Sequence, residues 1–184
     1  SDFNEYGYTS WLKYLTECAF DFVPRVTSDY LNAPDYDFGY GSYTADNFLN
    51  GDRAGDGVYP MTDISTADPD VVFVHLGSNS GASDVQNILA IWDQFIADGR
   101  FVIGAEILPR SSGAFGYDAD DLAACYAANV SLKAAAATRG ILFAEWASTV
   151  TETVGGYGSG LYLTDGVHPN IAGAARMADY LKTF

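Results

Sequence analysis

The 184-residue chain is 48% apolar and 18% charged, which is enough apolar material for a core, and its length fits a single domain over residues 1–184. Its 24 acidic and 9 basic side chains give a formal net charge of -15, and this field argues against nucleic acid as a partner. No apolar run reaches the roughly 20 residues of a membrane span, so we expect no membrane span.

The cysteines and the composition bear on the environment of the protein. Cys18 and Cys125 fit either one disulfide or two separate buried thiols. The low Lys and Arg content, with abundant Asp, Gly and Tyr, favours an extracellular or periplasmic protein on compositional grounds. The first residues, SDFNEYGYTS, have neither a basic start nor an apolar stretch and do not form a secretory signal; a signal removed before this point is the open alternative.

The first quarter of the chain predicts short elements. Residues 8–18 carry apolar side chains at helical spacing and predict an amphipathic helix. FDFV is a strand candidate in a segment interrupted by two prolines. TADNFLNG then predicts a short helix that a Thr or Asp caps and that ends at Gly51, followed by the turn-rich loop NGDRAGDG.

From residue 68 onward, buried strands and helices alternate. DPDVVFVHLGSNS is a β-branched run opened by Asp-Pro-Asp and closed by Gly, typical of a strand buried on both faces. Two further strands follow, FVIGAEIL (101–108) and ILFAEW (141–146), and three helices: ASDVQNILAIWDQFIADG, residues 119–138 and residues 170–182. The alternation predicts an α/β fold with a parallel sheet, helices on both faces and functional groups at the C-terminal ends of the strands.

Asp165 and His168 lie in the loop LTDGVHPN, directly before the last predicted helix. A carboxylate three residues before an imidazole can turn back to accept the Nδ1 proton, which fixes the tautomer and leaves Nε2 to act as a general base. Pro169 suits the first helical position and would hold the histidine just outside the helix. Taken alone, the pattern favours a helix cap beside a surface histidine.

Two further segments place hydrogen-bond donors at the same sheet edge. Asn79 follows the central strand in HLGSNS, and its amide can either donate to a developing oxyanion or brace its own turn. FGYGSYTAD ends a candidate strand with two glycines and begins a helix, so its backbone N–H groups would point at that edge. Alone, these glycines indicate only a turn.

In this order, the three segments resemble the SGNH or GDSL-type hydrolases. Asp165-Gly166-Val167-His168-Pro169-Asn170 looks like the last block of that family, Gly77-Ser78-Asn79-Ser80 like its Gly-x-Asn-Asp block, and GYGSYT like its glycine block. PDVVFVHLG and ILPR are similar to family sequences too, and the resemblance runs from about Tyr8 to the C-terminus. It implies a three-layer α/β/α sandwich with a central parallel sheet, the flavodoxin-like SGNH hydrolase fold.

The resemblance also implies a serine-type carboxylic ester hydrolase with a Ser-His-Asp triad and no metal or organic cofactor. His168 would take the serine proton and later protonate the leaving alcohol, and Asp165 would orient His168. The main-chain N–H of Gly41, or of Ser42 in the alternative register, and the amide of Asn79 would form the oxyanion hole. The substrate would be a small-molecule or carbohydrate ester: carbohydrate acetyl esters and short-chain lipid esters both fit.

The chain departs from the family pattern in two places. Ser80 stands where the family has an Asp after the oxyanion Asn, which removes a carboxylate from that loop. The 184 residues also contain no Gly-Asp-Ser, the family's nucleophile block. Because Ser1-Asp2 resembles the tail of a Gly-Asp-Ser-x-Ser-Asp run, we expect the nucleophile just before residue 1. Ser1 itself is the less favoured candidate, since nothing upstream would position it.

Other hypotheses stay open. A catalytically inactive SGNH-fold protein, serving as a glycan-binding or self-assembling module, would explain the missing nucleophile, but it has little need of Asp165, His168 and Asn79 together. A flavodoxin-like ligand-binding domain would explain the alternation but not DGVHPN. His75 is predicted to be a packed strand histidine rather than a metal ligand, and Arg110 either contacts the substrate or forms a surface ion pair.

Overall fold

The computed structural model describes residues 43–51, 55, 57–79, 81–162 and 165–183. In this part of the chain the strands are β1 (Val71–Val74), β2 (Phe101–Ala105) and β3 (Leu142–Ala144). The helices are α1 (Ala45–Asn50), α2 (Pro60–Ala67), α3 (Val85–Ala97), α4 (Ala119–Arg139) and α5 (Ile171–Leu181). The predicted helix over residues 8–18 and the strand candidate FDFV lie outside the described residues, as do Ser1, Cys18, Gly41, Ser42 and Ser80.

The three strands pair in parallel in the order β1-β2-β3. Val72 is aligned with Val102, and Ile103 is aligned with Leu142. Helix α3 connects β1 to β2 and helix α4 connects β2 to β3, which is the crossover that a parallel pair requires. The parallel sheet predicted from the alternating pattern is therefore confirmed.

Helices cover both faces of the sheet. Side chains alternate along a strand, so Val72 and Val74 point to one face and Phe73 to the other. The first face packs in a cluster that includes Trp92 of α3 and Leu132 of α4. The second face packs in a cluster that includes Trp146 and Met177, the latter from α5. The predicted three-layer α/β/α sandwich is confirmed, because apolar clusters lie on both sides of the strands.

The helix ends follow from local chemistry. Thr44 caps α1 by accepting the backbone N–H of Asn47, and Gly51 ends that helix with a positive φ (70°), which glycine adopts readily. Asp118 caps α4 by accepting the backbone N–H groups of Asp120 and Asp121.

Within the described residues, no helix combines the length and the apolar character needed to cross a membrane.

Two parts of the sequence prediction are wrong. Pro169 does not occupy the first helical position: α5 begins at Ile171, and the side-chain oxygen of Asn170 caps it by accepting the backbone N–H of Gly173 at 3.0 Å. Pro169 instead forms an isolated antiparallel bridge with Tyr162. Helix α2 was not predicted, although a proline at its first position, Pro60, is a typical start signal.

Candidate active site

Asp165 and His168 contact each other in the turn before α5. Oδ2 of Asp165 lies 2.7 Å from Nδ1 of His168, and Oδ1 accepts the backbone N–H groups of Val167 at 2.8 Å and His168 at 3.0 Å. Gly166 supplies the left-handed backbone of this turn (φ 68°). The carboxylate orients the imidazole through Nδ1, so Nε2 is the ring nitrogen that can exchange a proton with a substrate or a nucleophile.

The pKa of the Asp165 carboxyl is lowered from its usual value. Burial alone would raise it, but the backbone N–H groups of His168 and Val167 and the His168 side chain together outweigh burial. Asp165 is therefore ionised at neutral pH. An ionised carboxylate is the acceptor that a protonated Nδ1 requires.

Asn79 lies beyond the C-terminal end of β1 and contacts the segment that leads into α1. Its Nδ2 donates to the carbonyl oxygen of Tyr43 at 3.0 Å, so the amide braces a distant segment and not its own turn. An amide NH₂ carries two protons, and the second can serve an oxyanion. The bond also brings the end of the glycine block GYGSYT beside Asn79, whereas Gly41 itself lies outside the described residues.

Asp84 is a buried carboxylate that the sequence analysis missed. Its Oδ2 accepts the backbone N–H of Ala45, the first residue of α1, at 2.6 Å. This bond and the bond from Asn79 to Tyr43 attach both ends of the 79–84 segment to the region where α1 begins. Asp84 thus supplies a carboxylate contact to the segment in which Ser80 replaces the family's Asp. Ser83-Asp84 precedes an apolar run, a pattern typical of an ordinary helix cap, so the sequence did not indicate the contact of Asp84 with Ala45.

The segment of residues 106–111 follows β2 and contacts both parts of the candidate site, the Asn79 loop and the turn of Asp165 and His168. Donors from several elements bind its carbonyl oxygens. Trp146 Nε1 donates to the carbonyl oxygen of Glu106 at 2.9 Å, and Asn129 Nδ2 donates to that of Ile107 at 2.9 Å. Tyr162 Oη donates to the carbonyl oxygen of Pro109 at 2.8 Å, and the Gly158 N–H donates to that of Arg110 at 2.9 Å. Asn129 also accepts the Ile107 N–H at 2.7 Å. The Glu106 N–H also donates to the carbonyl oxygen of Ala144 in β3 at 3.0 Å, so bonds from several elements fix the segment along its length.

Two consecutive residues of this segment contact both halves of the site. Arg110 Nη2 donates to the carbonyl oxygen of Ser78, the residue before Asn79, at 2.5 Å. The Ser111 N–H donates to the carbonyl oxygen of Gly166, the residue after Asp165, at 2.8 Å. The loop with the amide and the turn with the imidazole therefore meet on one dipeptide at the C-terminal edge of the sheet.

Arg110 forms no ion pair with any carboxylate among the residues that the structure describes. Its Cζ instead lies 5.9 Å from the ring centroid of Phe115. Phe115 is 79% exposed and has a left-handed backbone (φ 51°), which is uncommon for a bulky residue. The predicted alternative of a surface ion pair for Arg110 finds no support within the described chain.

A cavity of about 170 Å³ lies beside this arrangement, lined by Glu106, Tyr126, Glu145, Ala147, Ser148, Val154 and Gly155. Burial raises the pKa of Glu106, although its carboxylate accepts the backbone N–H of Ala147 at 2.7 Å. Neither Asn79 nor the Asp165–His168 pair lines this cavity, so we do not assign it to ester chemistry. Among the described residues, no group of three or more His, Cys, Asp or Glu side chains is arranged to hold a metal ion.

His75 and Cys125 belong to the core and not to the site. The His75 ring packs edge-on against Trp146 with centroids 4.7 Å apart, and burial lowers the pKa of His75 to about 4. Cys125 is a free, buried thiol whose Sγ lies 3.5 Å from the carbonyl oxygen of Ile107, and burial raises its pKa to about 11. A thiol that stays protonated at neutral pH is a poor nucleophile.

Comparisons with known proteins identify the family of the chain. The sequence profile of the GDSL-like Lipase/Acylhydrolase family matches residues 5–176. A search of curated proteins finds no match.

Several solved structures share the fold. A GDSL-like lipase from Bacteroides thetaiotaomicron VPI-5482 has a TM-score of 0.64 and 22% identity, with 77% of this chain and 70% of that chain covered. A protein assigned to the G-D-S-L lipolytic family from Desulfitobacterium hafniense DCB-2 has a TM-score of 0.66 and 17% identity, with 97% and 88% covered. A carbohydrate esterase of family 3 from Talaromyces cellulolyticus has a TM-score of 0.66 and 16% identity, with 96% and 88% covered.

At these identities the structural neighbours support the fold alone, and the family follows from the profile match. The matched range includes the Asn79 loop, the 106–111 segment and the turn of Asp165 and His168. The chain belongs to the GDSL-like lipase/acylhydrolase family of ester-bond hydrolases.

Proposed function

We propose that the protein hydrolyses acyl esters by the serine route, with His168 as the general base and acid and Asp165 as the group that orients it. The observation that carries this proposal is the double contact from one carboxylate, Oδ2 to the ring Nδ1 and Oδ1 to the backbone N–H of His168. A carboxylate in this position fixes the tautomer and stabilises the imidazolium that forms during proton transfer.

The nucleophile in this proposal is the serine of a Gly-Asp-Ser block, which the family resemblance leads us to expect just before residue 1. Its Oγ would attack the ester carbonyl carbon while Nε2 of His168 takes the hydroxyl proton. The tetrahedral intermediate would then expel the alcohol, which takes that proton from Nε2. Water would attack the acyl-enzyme by the same sequence and release the acid and the serine.

The oxyanion of the tetrahedral intermediate would be held by the side-chain amide of Asn79 and the main-chain N–H of Gly41. The bond from Asn79 to Tyr43 supports this assignment, because it fixes the amide beside a residue that follows Gly41 by two positions in the sequence. Removing one such donor costs about 10²- to 10³-fold in kcat in a comparable enzyme. We expect a loss of this order for Asn79→Ala.

Carbohydrate acetyl esters and short-chain lipid esters are the two proposed substrate classes. The structural neighbours include a protein described as a carbohydrate esterase and one described as a GDSL-like lipase, so the same fold serves both names. The net charge of -15 argues against substrates embedded in anionic lipid surfaces. A neutral acetylated sugar or a dispersed short-chain ester therefore suits this chain better.

The test uses the product of the complete reading frame, whose intact mass and upstream sequence show whether a strand ending in Gly-Asp-Ser precedes Ser1. We expect turnover of p-nitrophenyl acetate and labelling by a fluorophosphonate. His168→Ala should lower kcat by at least about 10³-fold, because the serine then lacks its base. His75→Gln, which changes the other histidine, should retain activity. Equal turnover by His168→Ala and the unsubstituted protein would reject the proposal.

The second candidate is a catalytically inactive module that binds glycans or assembles with itself. It is favoured by Ser80, which stands where the family has an Asp. A protein that neither turns over p-nitrophenyl acetate nor reacts with the fluorophosphonate, but binds a glycan or forms oligomers in solution, would support this candidate.

A further inference from the structure

We propose that Arg110 is a positioning residue of the ester site: it holds the loop that carries Asn79 and thereby aims the amide at the reacting carbonyl. This inference rests on the proposed function, because aiming Asn79 matters for turnover only if the amide stabilises an oxyanion. Arg110 is separated from Ser78 by 32 positions in the sequence, so the contact is a property of the fold and not of a local turn.

The contact from Arg110 acts on the peptide group that leads into Asn79. Arg110 Nη2 donates to the carbonyl oxygen of Ser78, and this oxygen belongs to the planar peptide unit that also contains the N–H of Asn79. Fixing the carbonyl direction therefore fixes the direction in which the chain enters Asn79. Because the donor is a guanidinium, the hydrogen bond is charge-assisted and stronger than a neutral one.

Packing also restrains the same loop, at Gly77. Gly77 has φ 100°, and a Cβ at this position would lie 2.7 Å from Cδ1 of Ile107. The backbone therefore passes Ile107 at a distance that only glycine allows. The loop is thus restrained at Gly77 by Ile107 and at Ser78 by the guanidinium of Arg110.

Arg110 is itself anchored independently of this loop. Its carbonyl oxygen accepts the N–H of Gly158 at 2.9 Å, and its Cζ lies 5.9 Å from the centroid of the Phe115 ring. The next residue, Ser111, is bonded to Gly166 in the turn of the proposed acid–base pair. Arg110 thus fixes the amide relative to the imidazole, and this relation determines whether both groups reach one carbonyl.

Arg100 provides a matched control at the other end of β1. Its Nη1 donates to the carbonyl oxygen of Pro69 at 2.9 Å, and it also pairs with Asp68. Both arginines therefore donate a guanidinium hydrogen bond to a backbone carbonyl oxygen. Arg100 precedes β2 and binds the segment before β1, whereas Arg110 follows β2 and binds the segment after β1. Only Arg110 is at the C-terminal edge, where Asn79 lies. A merely structural role would be shared by both arginines.

The experiment compares Arg110→Ala, Arg110→Lys and Arg100→Ala in the product of the complete reading frame, with p-nitrophenyl acetate as substrate. We expect Arg110→Ala to lower kcat by roughly 10- to 100-fold, because a misaligned donor loses much of its effect, while KM changes by less than about twofold. Arg110→Lys should restore part of kcat, since an ammonium can also donate to Ser78. The shape of the pH profile should stay unchanged, and Arg100→Ala should keep the kcat of the unsubstituted protein.

Hydrogen–deuterium exchange gives a readout that does not need turnover. Amides in residues 76–80 should exchange faster in Arg110→Ala than in Arg100→Ala, because the peptide before Asn79 has lost its anchor. Equal exchange in this segment, an unchanged kcat in a folded Arg110→Ala variant, or a rise in KM alone would overturn the inference. If the unsubstituted protein shows no turnover, the proposed function fails, and the exchange comparison still decides whether Arg110 holds the loop.

Discussion

The two oxygens of the Asp165 carboxylate hold different parts of His168: Oδ2 contacts the ring at Nδ1, and Oδ1 accepts the backbone N–H. One side chain therefore sets both the point at which the histidine leaves the backbone and the rotation of its ring. This matters because 64% of the His168 side chain is exposed. The orientation of the proposed base is thus built by a short local motif.

Asp165→Asn should lower kcat for p-nitrophenyl acetate by about 10³- to 10⁴-fold, because an amide keeps the shape but no longer stabilises the imidazolium. The control is Asp118→Asn, since Asp118 also accepts two backbone N–H groups in a helix cap but has no imidazole partner. Asp118→Asn should retain full kcat. Similar kcat values for the two variants would contradict the role given to Asp165.

Gly166→Ala should reduce turnover by at least about tenfold, because small displacements of acid–base groups are costly. Gly166 has φ 68°, and a Cβ there would lie 2.9 Å from the Cβ atoms of Ser111 and Ala114. The added methyl group must push the turn of Asp165 and His168 away from the 106–111 segment. Steady-state kinetics with p-nitrophenyl acetate measures the loss.

Gly99→Ala separates this effect from backbone strain. Gly99 also has a left-handed backbone (φ 80°), but no atom lies within 4 Å of the added Cβ. Both alanine variants should lose about 1–2 kcal/mol of the free energy of unfolding from the unfavourable φ. Only Gly166→Ala should lose kcat, and a comparable loss in Gly99→Ala would refute the steric explanation.

Asn129→Leu should lower the free energy of unfolding by about 2–5 kcal/mol, because it leaves a buried N–H and a buried C=O of Ile107 without their side-chain partner. Urea denaturation measures this loss. Ser131→Ala, on the exposed side of the same helix, should change the free energy of unfolding by less than about 0.5 kcal/mol. An Asn129→Leu variant as stable as Ser131→Ala would show that the clamp contributes nothing.

His75 should make the protein less stable as the pH falls from about 6.5 to about 4. The pKa of His75 is lowered from 6.5 to about 4 by burial, so within this window the unfolded chain binds a proton that the folded chain does not. Above pH 6.5 both states are neutral, and below about 4 the loss is complete. The free energy of unfolding, measured with urea at several pH values, should therefore lose part of its pH slope in His75→Phe.

Phe73→Leu is the matched control for this pH effect, because Phe73 contacts the same Trp146 ring with centroids 5.1 Å apart but does not titrate. It should lower the free energy of unfolding by a similar amount at every pH. A His75→Phe variant with the same pH slope as Phe73→Leu would contradict the assignment to His75.

Sequence patterns predicted those elements whose cause is local. Consecutive residues were enough to predict three of these elements: β1 from its β-branched run, α3 from its apolar stripe and following glycine, and α4 from its acidic first turn. Helix α2 was missed because PMTDISTA has only a weak apolar stripe. Pro169 was misplaced because two residues compete to begin α5, and the side chain of Asn170 gains a hydrogen bond as the cap.

In the candidate site, too, local contacts were predicted from the sequence and long-range contacts were not. Asp165 and His168 were predicted because their contact spans three residues. Asp84, Asn129 and Arg110 act on backbone groups 39, 22 and 32 positions away, and no spacing rule relates such residues. A lone asparagine in the alanine-rich α4 was the available signal for the clamp on Ile107, since a polar side chain on an apolar helix face needs a partner.

The 106–111 segment has a consequence for how activity is lost under stress. Its partners come from α4, from the turn after β3 and from the stretch before α5, so no single element can open and release it. Fraying of one helix end would leave the remaining bonds in place. Heating or urea should therefore abolish turnover only in the main cooperative unfolding transition, and activity and fluorescence should report one common midpoint.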